Sequence, residues 1–232
     1  MEVQERNFST LGYFPAVEKR QRIVAVDLGK QQDYTAINVG ERVWKPIEPG
    51  APGWVNTELQ QQIHKPFLRL LHLERLPLGM DFTRQCVRIV QIVRAAGPNT
   101  RVVVDKSGVG DPVVDILRQR IDVVGVRITG GVGEKPDETR CSDWSVSKLL
   151  LVSMTQACFY RKAIRINARM PLASLLVKEL QNFQANPTAA GNIQFSARSG
   201  QHDDIVLSLA LLIWEAERNA TRYGVTVTPL GL

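Results

Sequence analysis

At 232 residues the chain can bury one sizeable core or at most two small ones. Its 44% hydrophobic and 22% charged residues are ordinary for a globular protein, and no apolar stretch reaches the roughly 18 residues of a membrane span. LSLALLIW (207–214) comes nearest and is cut off by EAER, and the N-terminus, MEVQERNFST, lacks the apolar region of a signal peptide. The net charge of +6 fits a polyanionic partner such as nucleic acid without identifying one. Three cysteines, Cys86, Cys141 and Cys158, form no CxxC pair, which argues against a disulfide framework or a zinc knuckle and for a reducing compartment.

Along the chain, residues 1–21 are mixed and polar and read as an arm or linker remnant. IVAVDL (23–28) is a buried strand, GKQQD a turn, and TAINVGERVW (35–44) a second strand with Gly40 near its middle. Residues 45–62 carry three prolines and two glycines and read as a loop or hairpin insertion. KPFLRLLHLERL (65–76) is the third strand of an antiparallel meander. Phe82, Cys86, Ile89, Val90 and Val93 recur at helical spacing, with Asp81 as N-cap and Gly97-Pro98 as stop. RVVVD (101–105) is a strand, and GVGDPVVDILRQR (108–120) is a helix with Pro112 in its first turn, where proline is tolerated. VVGVRI (123–128) is a strand, 129–143 a loop, 144–161 a helix and AIRIN (163–167) a short strand. A helix over 171–184, a late strand NIQFSA (192–197), a last helix over 203–220 and a tail over 222–232 follow. Three hairpin-paired strands followed by strands joined through helices predict an α/β fold: a ribonuclease H-like mixed sheet with helices on both faces, occupying 22–221. No GxxxxGK[ST] phosphate loop occurs, so no ATP-hydrolysing site is expected.

Three acidic positions carry the chemistry. Asp27 and Asp105 each end an apolar strand and precede a glycine-containing turn, and Asp203-Asp204 open the last helix. Each has an ordinary alternative role, as a turn residue or a helix cap. Acids far apart in sequence, each at the end of an element, point instead to one converging cluster, which divalent metal would neutralise. Two cations about 4 Å apart, held by hard oxygen donors, can activate water and stabilise the leaving oxygen of a phosphodiester. Such a donor set suits Mg²⁺ or Mn²⁺, whereas zinc would want more His or Cys. Successive helical residues point about 100° apart, so one of the last two acids faces the metals, Asp204 by preference and Asp203 as the alternative. His202 is an auxiliary candidate, as outer ligand or proton shuttle, and so is Asp33 as a group behind the ligands. Lys106 to Gly110 lie at a helix start, where backbone N–H groups favour anions.

VDLGKQQDYTA, VDKSGVGDPVVD, the WSVSKLLLVSM and LVKELQNF helices and the HDDIVLSLALLIW ending occur in an order that resembles the nuclease domain of phage terminase large subunits. The likeness covers residues 22–218. It implies a ribonuclease H-like endonuclease that cuts concatemeric double-stranded viral DNA with Mg²⁺ or Mn²⁺, its metal acids falling on Asp27, Asp105 and one of Asp203/Asp204. It implies a basic residue near DNA at Lys148; on the nuclease reading Lys30, Lys106, Lys148 and Arg198 are candidate phosphate contacts. The 45–62 loop would then be a flap over the DNA. The partners implied are a terminase ATPase domain or subunit, portal and small terminase, and the compartment is the bacterial host cytoplasm. The ATPase segment usual in the family is not in this sequence, so the acids are read as a cutting site without a motor. Two other readings stay open: a Holliday-junction-resolvase-like nuclease with the same acids, and a catalytically silent DNA-binding or docking module. A sugar-kinase-like ATPase is disfavoured by chain length.

Overall fold

The computed structural model describes residues 19–29, 33–46, 64–108, 110–187, 193–197 and 203–218. An eight-stranded mixed sheet forms its centre. Strands β1 (Lys19–Asp27), β2 (Ala36–Pro46) and β3 (His64–Arg75) pair antiparallel as the expected meander. On the other side of β1 lie β4 (Arg101–Asp105) and β5 (Val124–Thr129), both parallel to their neighbours. Strand β7 (Trp144–Ser147) adds parallel to β5, β6 (Glu134–Pro136) closes that edge antiparallel, and β8 (Ile164–Arg165) adds parallel to β3. The spatial order is β6-β7-β5-β4-β1-β2-β3-β8. This is the predicted fold class, a mixed sheet with helices on both faces.

The apolar runs explain why β1 and β4 are central. Ile23, Ala25 and Val103 point to one face, while Val24, Val26, Val102 and Val104 point to the other. A strand buried on both faces reads as a continuous apolar run. On the second face pack α1 (Phe82–Ala96) and α2 (Gly110–Arg118), through Cys86, Ile89, Val90, Val93, Val113 and Leu117. On the first pack α3 (Lys148–Tyr160), α4 (Ala173–Asn182) and α5 (Asp204–Arg218). Helix α5 is apolar nearly all round because it lies between the sheet and α3; Ile205, Leu209, Leu211, Leu212, Ile213 and Trp214 are fully buried. It comes down close on β2 at Gly40, where a Cβ would sit 2.8 Å from a Leu212 methyl and where the β2–β3 register shifts. The glycine noted mid-strand is thus the seat of the long helix.

The caps of α1 agree with the sequence: Asp81 accepts from the Arg84 N–H at 2.9 Å, and Gly97 ends the helix at φ 97°. Other boundaries differ for physical reasons. Residues 144–147, expected as the first turn of a helix, are strand β7; Val146 is buried against the sheet and Ser147 caps α3 by accepting from the Leu150 N–H. The loop expected at 129–143 contains β6, whose three residues are all exposed and give no apolar signal. Helix α4 starts at Ala173 because Leu172 adopts a left-handed conformation. It ends at Asn182 because Phe183–Pro187 form β9, which pairs with β10 (Ile193–Ala197) in a separate two-stranded ribbon. Strand β1 begins at Lys19, within the stretch read as an arm. Residues 1–18, the tail 222–232, most of the 45–62 loop, Lys30, Arg198 and His202 lie outside the described residues. No described helix is long and apolar enough to cross a membrane.

Candidate metal centre

Parallel pairing of β1 with β4 aligns Val26 with Val104, so Asp27 and Asp105 follow side by side at the same sheet edge, on strands roughly 4.8 Å apart. The α5 start completes the group: Asp203 is the last residue before the helix and Asp204 its first. The sequence-predicted acids therefore lie in one neighbourhood, near enough for Asp105, Asp204 and Asp203 to act on Asp27. Burial first, then the charges of Asp105, Asp204 and Asp203, push the Asp27 carboxyl well above the usual aspartate range, with Lys148 opposing. Asp105 is also raised by burial, against the pull of the Ser107 hydroxyl and N–H; that N–H donates to its Oδ1 at 2.8 Å.

The turn beneath Asp27 is held tightly. The Gly29 N–H donates to Thr35 Oγ1 at 3.0 Å, and the Thr35 hydroxyl donates to Gln85 Oε1 at 2.8 Å. A Cβ on Gly29 would overlap the Asp33 carbonyl and the Tyr34 backbone. Overpacking usually costs about 1–3 kcal/mol. Because the atoms met here are backbone and cannot swing away, Gly29→Ala is expected to cost at least the top of that range, read as a fall in the urea midpoint. A midpoint equal to wild type would show that the turn yields.

The two neighbouring acids of α5 have different surroundings. Asp203 is half-buried and pairs with Lys148 Nζ at 3.2 Å. Asp204 is buried, and its Oδ2 lies 3.5 Å from Arg75 Nη2. Lys148, expected near DNA, stands at the α3 start 5.4 Å from the Phe183 ring centroid and lowers the pKa of both Asp27 and Asp105, so it lies beside the acids. Asp33 is exposed on the β1–β2 turn. Lys106, expected as a phosphate contact, is placed otherwise: its side chain is 7% exposed and its ammonium lies 2.9 Å from Asp143, 3.2 Å from Asp137 and 3.6 Å from Asp111. The strand end turns it inward under β5, where it stabilises structure.

Two residues of the site escaped the sequence reading. Arg75, the last residue of β3, contacts Glu179 of α4 as well as Asp204, and its guanidinium lies 4.5 Å above the Tyr34 ring. Burial raises the Glu179 carboxyl to about 7, with Arg75 opposing and Asp204 adding to the rise. The one available signal was a glutamate three residues after buried Leu176, on the inward side of an amphipathic helix.

The donor set is all carboxylate. Among the described residues no three His, Cys, Asp or Glu side chains are drawn close enough to enclose an ion as they stand. Asp27 nevertheless feels three other acids while buried. A divalent cation would offset that repulsion, and oxygen-only donors fit Mg²⁺ or Mn²⁺.

No protein-family model matches the chain. The terminase large subunit of Thermus virus P23-45 is 28% identical over 188 residues, which are 81% of this chain and 30% of that protein. The chain thus spans less than a third of the relative's length. The large terminase nuclease of thermophilic phage G20c, solved with bound magnesium, superposes with a TM-score of 0.57 at 23% identity, covering 87% of this chain and 82% of that one. The same nuclease with bound cobalt gives 0.57 at 22% identity over 84% and 80%. Over most of its length, then, the chain is similar to phage terminase large subunits and has the fold of the large terminase nuclease.

Proposed function

We propose that this chain is the metal-dependent endonuclease domain of a phage DNA-packaging terminase, cutting double-stranded viral DNA. The carrying observation is the meeting of Asp27, Asp105 and the α5 acids at one sheet edge, in a chain similar to terminase large subunits. Asp27, Asp105 and Asp204 would hold Mg²⁺ or Mn²⁺; a pair of such ions supplies an activated water and a counter-charge for the leaving 3′ oxygen. The protein's own residues do the rest. The adjacent ends of β1 and β4 fix the spacing of two carboxylates, and the Gly29–Thr35–Gln85 turn keeps Asp27 at the edge. Lys148 holds Asp203 and brings a positive charge to where a scissile phosphate would lie. In this reading residues 22–221 are the cutting unit, working in the host cytoplasm beside an ATPase domain or subunit, portal and small terminase.

Plasmid digestion tests it. Nicking and linearisation are expected with Mg²⁺ or Mn²⁺, none with EDTA, and none by Asp105→Ala. Equal cutting by wild type and Asp105→Ala would overturn the assignment.

A further inference from the structure

Helix α5 is anchored at its first turn by groups from three other elements. Asn38 of β2 donates to the Ile205 carbonyl at 3.2 Å and to Ser208 Oγ at 2.5 Å. Glu179 of α4 accepts from the Ile205 N–H at 3.1 Å through Oε2, and its other oxygen meets Arg75 of β3. Arg75 also reaches Asp204 at 3.5 Å and is stacked on Tyr34, so one guanidinium is divided between two buried carboxylates. The side chains of Arg75, Glu179 and Asp204 are 13%, 6% and 8% exposed, so water screens little of their attraction.

We propose that Glu179 is a positioning residue for the metal-binding carboxylate Asp204, acting through the α5 first turn and through its hold on Arg75. Glu179 fixes the α5 first turn through the Ile205 N–H and holds the Arg75 guanidinium away from a full pairing with Asp204. Asp204 is thereby aimed toward Asp27 and Asp105 and kept available to a cation. A guanidinium makes two parallel bonds to a single carboxylate when nothing else claims it. Without the Glu179 charge, Arg75 would close on Asp204 and compete with metal for the same oxygens. The inference rests on the metal-site reading above. It adds that the ligand's availability is set by a carboxylate on another helix.

The test is Mn²⁺ binding by titration calorimetry on the full chain, with melting in EDTA as a fold check. Glu179→Gln keeps an oxygen for the Ile205 N–H but loses the charge that holds Arg75. Its Mn²⁺ affinity is expected to fall roughly 10–100-fold, the usual cost of losing a partner behind a metal ligand. Adding Arg75→Gln removes the competitor, so the double variant is expected to recover most of that loss; a merely structural role predicts a further loss instead. Glu179→Asp, which withdraws the charge by one methylene, is the second variant should the first fold poorly, and it is also expected to weaken binding. Wild-type affinity in both Glu179 variants, or no recovery in the double variant, overturns the inference while the metal site stands, provided Asp204→Ala loses Mn²⁺. If wild type itself takes up no Mn²⁺, the metal-site reading falls, and this inference with it.

Discussion

Asp27→Asn is expected to lose DNA cleavage and to melt at a higher temperature than wild type in EDTA. On the proposed function, the loss of activity follows from replacing a carboxylate that would hold metal by an amide. Removing one preorganised charge-stabilising group commonly costs 10²–10³-fold or so in rate. The gain in stability follows from the site's cost to the fold. Asp27 is buried beside Asp105, Asp204 and Asp203, and both burial and those charges disfavour its ionised form. The amide fills the same space without the charge. The pH dependence has a definite sign. The folded protein holds the Asp27 proton more tightly than the unfolded chain does, so wild-type stability falls as pH rises above the ordinary aspartate value of 3.8 toward the raised folded value. The advantage of the amide should therefore be large at pH 8 and shrink toward pH 4. Melting curves of both proteins in EDTA across that range measure it. A lower melting temperature for Asp27→Asn at pH 8 would mean that Asp27 is held by favourable contacts rather than strained by its neighbours. Sites that hold charge for chemistry commonly cost stability, and here the cost is confined to a few carboxylates at one sheet edge.

The reason this edge was legible in the sequence lies in its local grammar. Asp27 and Asp105 each follow a run of apolar residues and precede a glycine-containing turn, so their placement at a strand end needs no tertiary information. Their meeting needed one further step, the parallel pairing of β1 and β4, which the intervening helix implies. The neighbouring acids of α5 were not separable in the same way. Both stand at a helix start, and only the packing of α3 and β3 against it gives Asp203 to Lys148 and Asp204 to Arg75. Arg75 and Glu179 were illegible because neither has a local signature; a charged residue on an inward face declares itself only when its partner is known, and theirs lie 104 residues apart. The WSVS strand failed for a different reason. Four residues are too few to display alternation, and they run directly into an apolar helix, so the helical signal absorbed them. Lys106 failed because a lysine beside glycines reads as a phosphate contact until the buried acids that claim it are seen.

Those acids make Asp143 the position where a single substitution should most damage the fold away from the acid cluster. Its carboxylate is 2% exposed and takes Lys106 at 2.9 Å, the Arg118 guanidinium and the Gly125 N–H at 3.1 Å. It thereby joins the β4 end, the α2 C-terminus and the start of β5 to the residue preceding β7. Asp143→Ala leaves the buried Lys106 and the half-buried Arg118 facing a void, and breaking one side of a buried ion pair costs about 3–5 kcal/mol. Asp137 and Asp111 still face Lys106, and Asp115 lies 3.5 Å from Arg118, so the loss should sit toward the lower end. Adding Lys106→Met to Asp143→Ala removes one stranded charge and is expected to recover part of the loss; simple addition of the two single effects would show that the pair is not coupled. Burial alone would raise the Asp143 carboxyl, yet Lys106, Arg118 and the Gly125 N–H overcome it and hold the group below the ordinary value. A depressed carboxylate contributes stability that is fully present above the unfolded value of 3.8 and is lost as pH falls below it. Wild type should therefore weaken steeply in acid below about pH 4, and Asp143→Asn should be less stable at neutral pH but flatter through that window. An Asp143→Asn acid limb as steep as wild type's would assign the acid sensitivity to other carboxylates. Because Lys106 directly follows Asp105, the same node fixes the β4 end that carries this proposed metal ligand. Damage at Asp143 is thus expected to appear twice, first as lost stability and then, in protein that remains folded, as weaker Mn²⁺ binding.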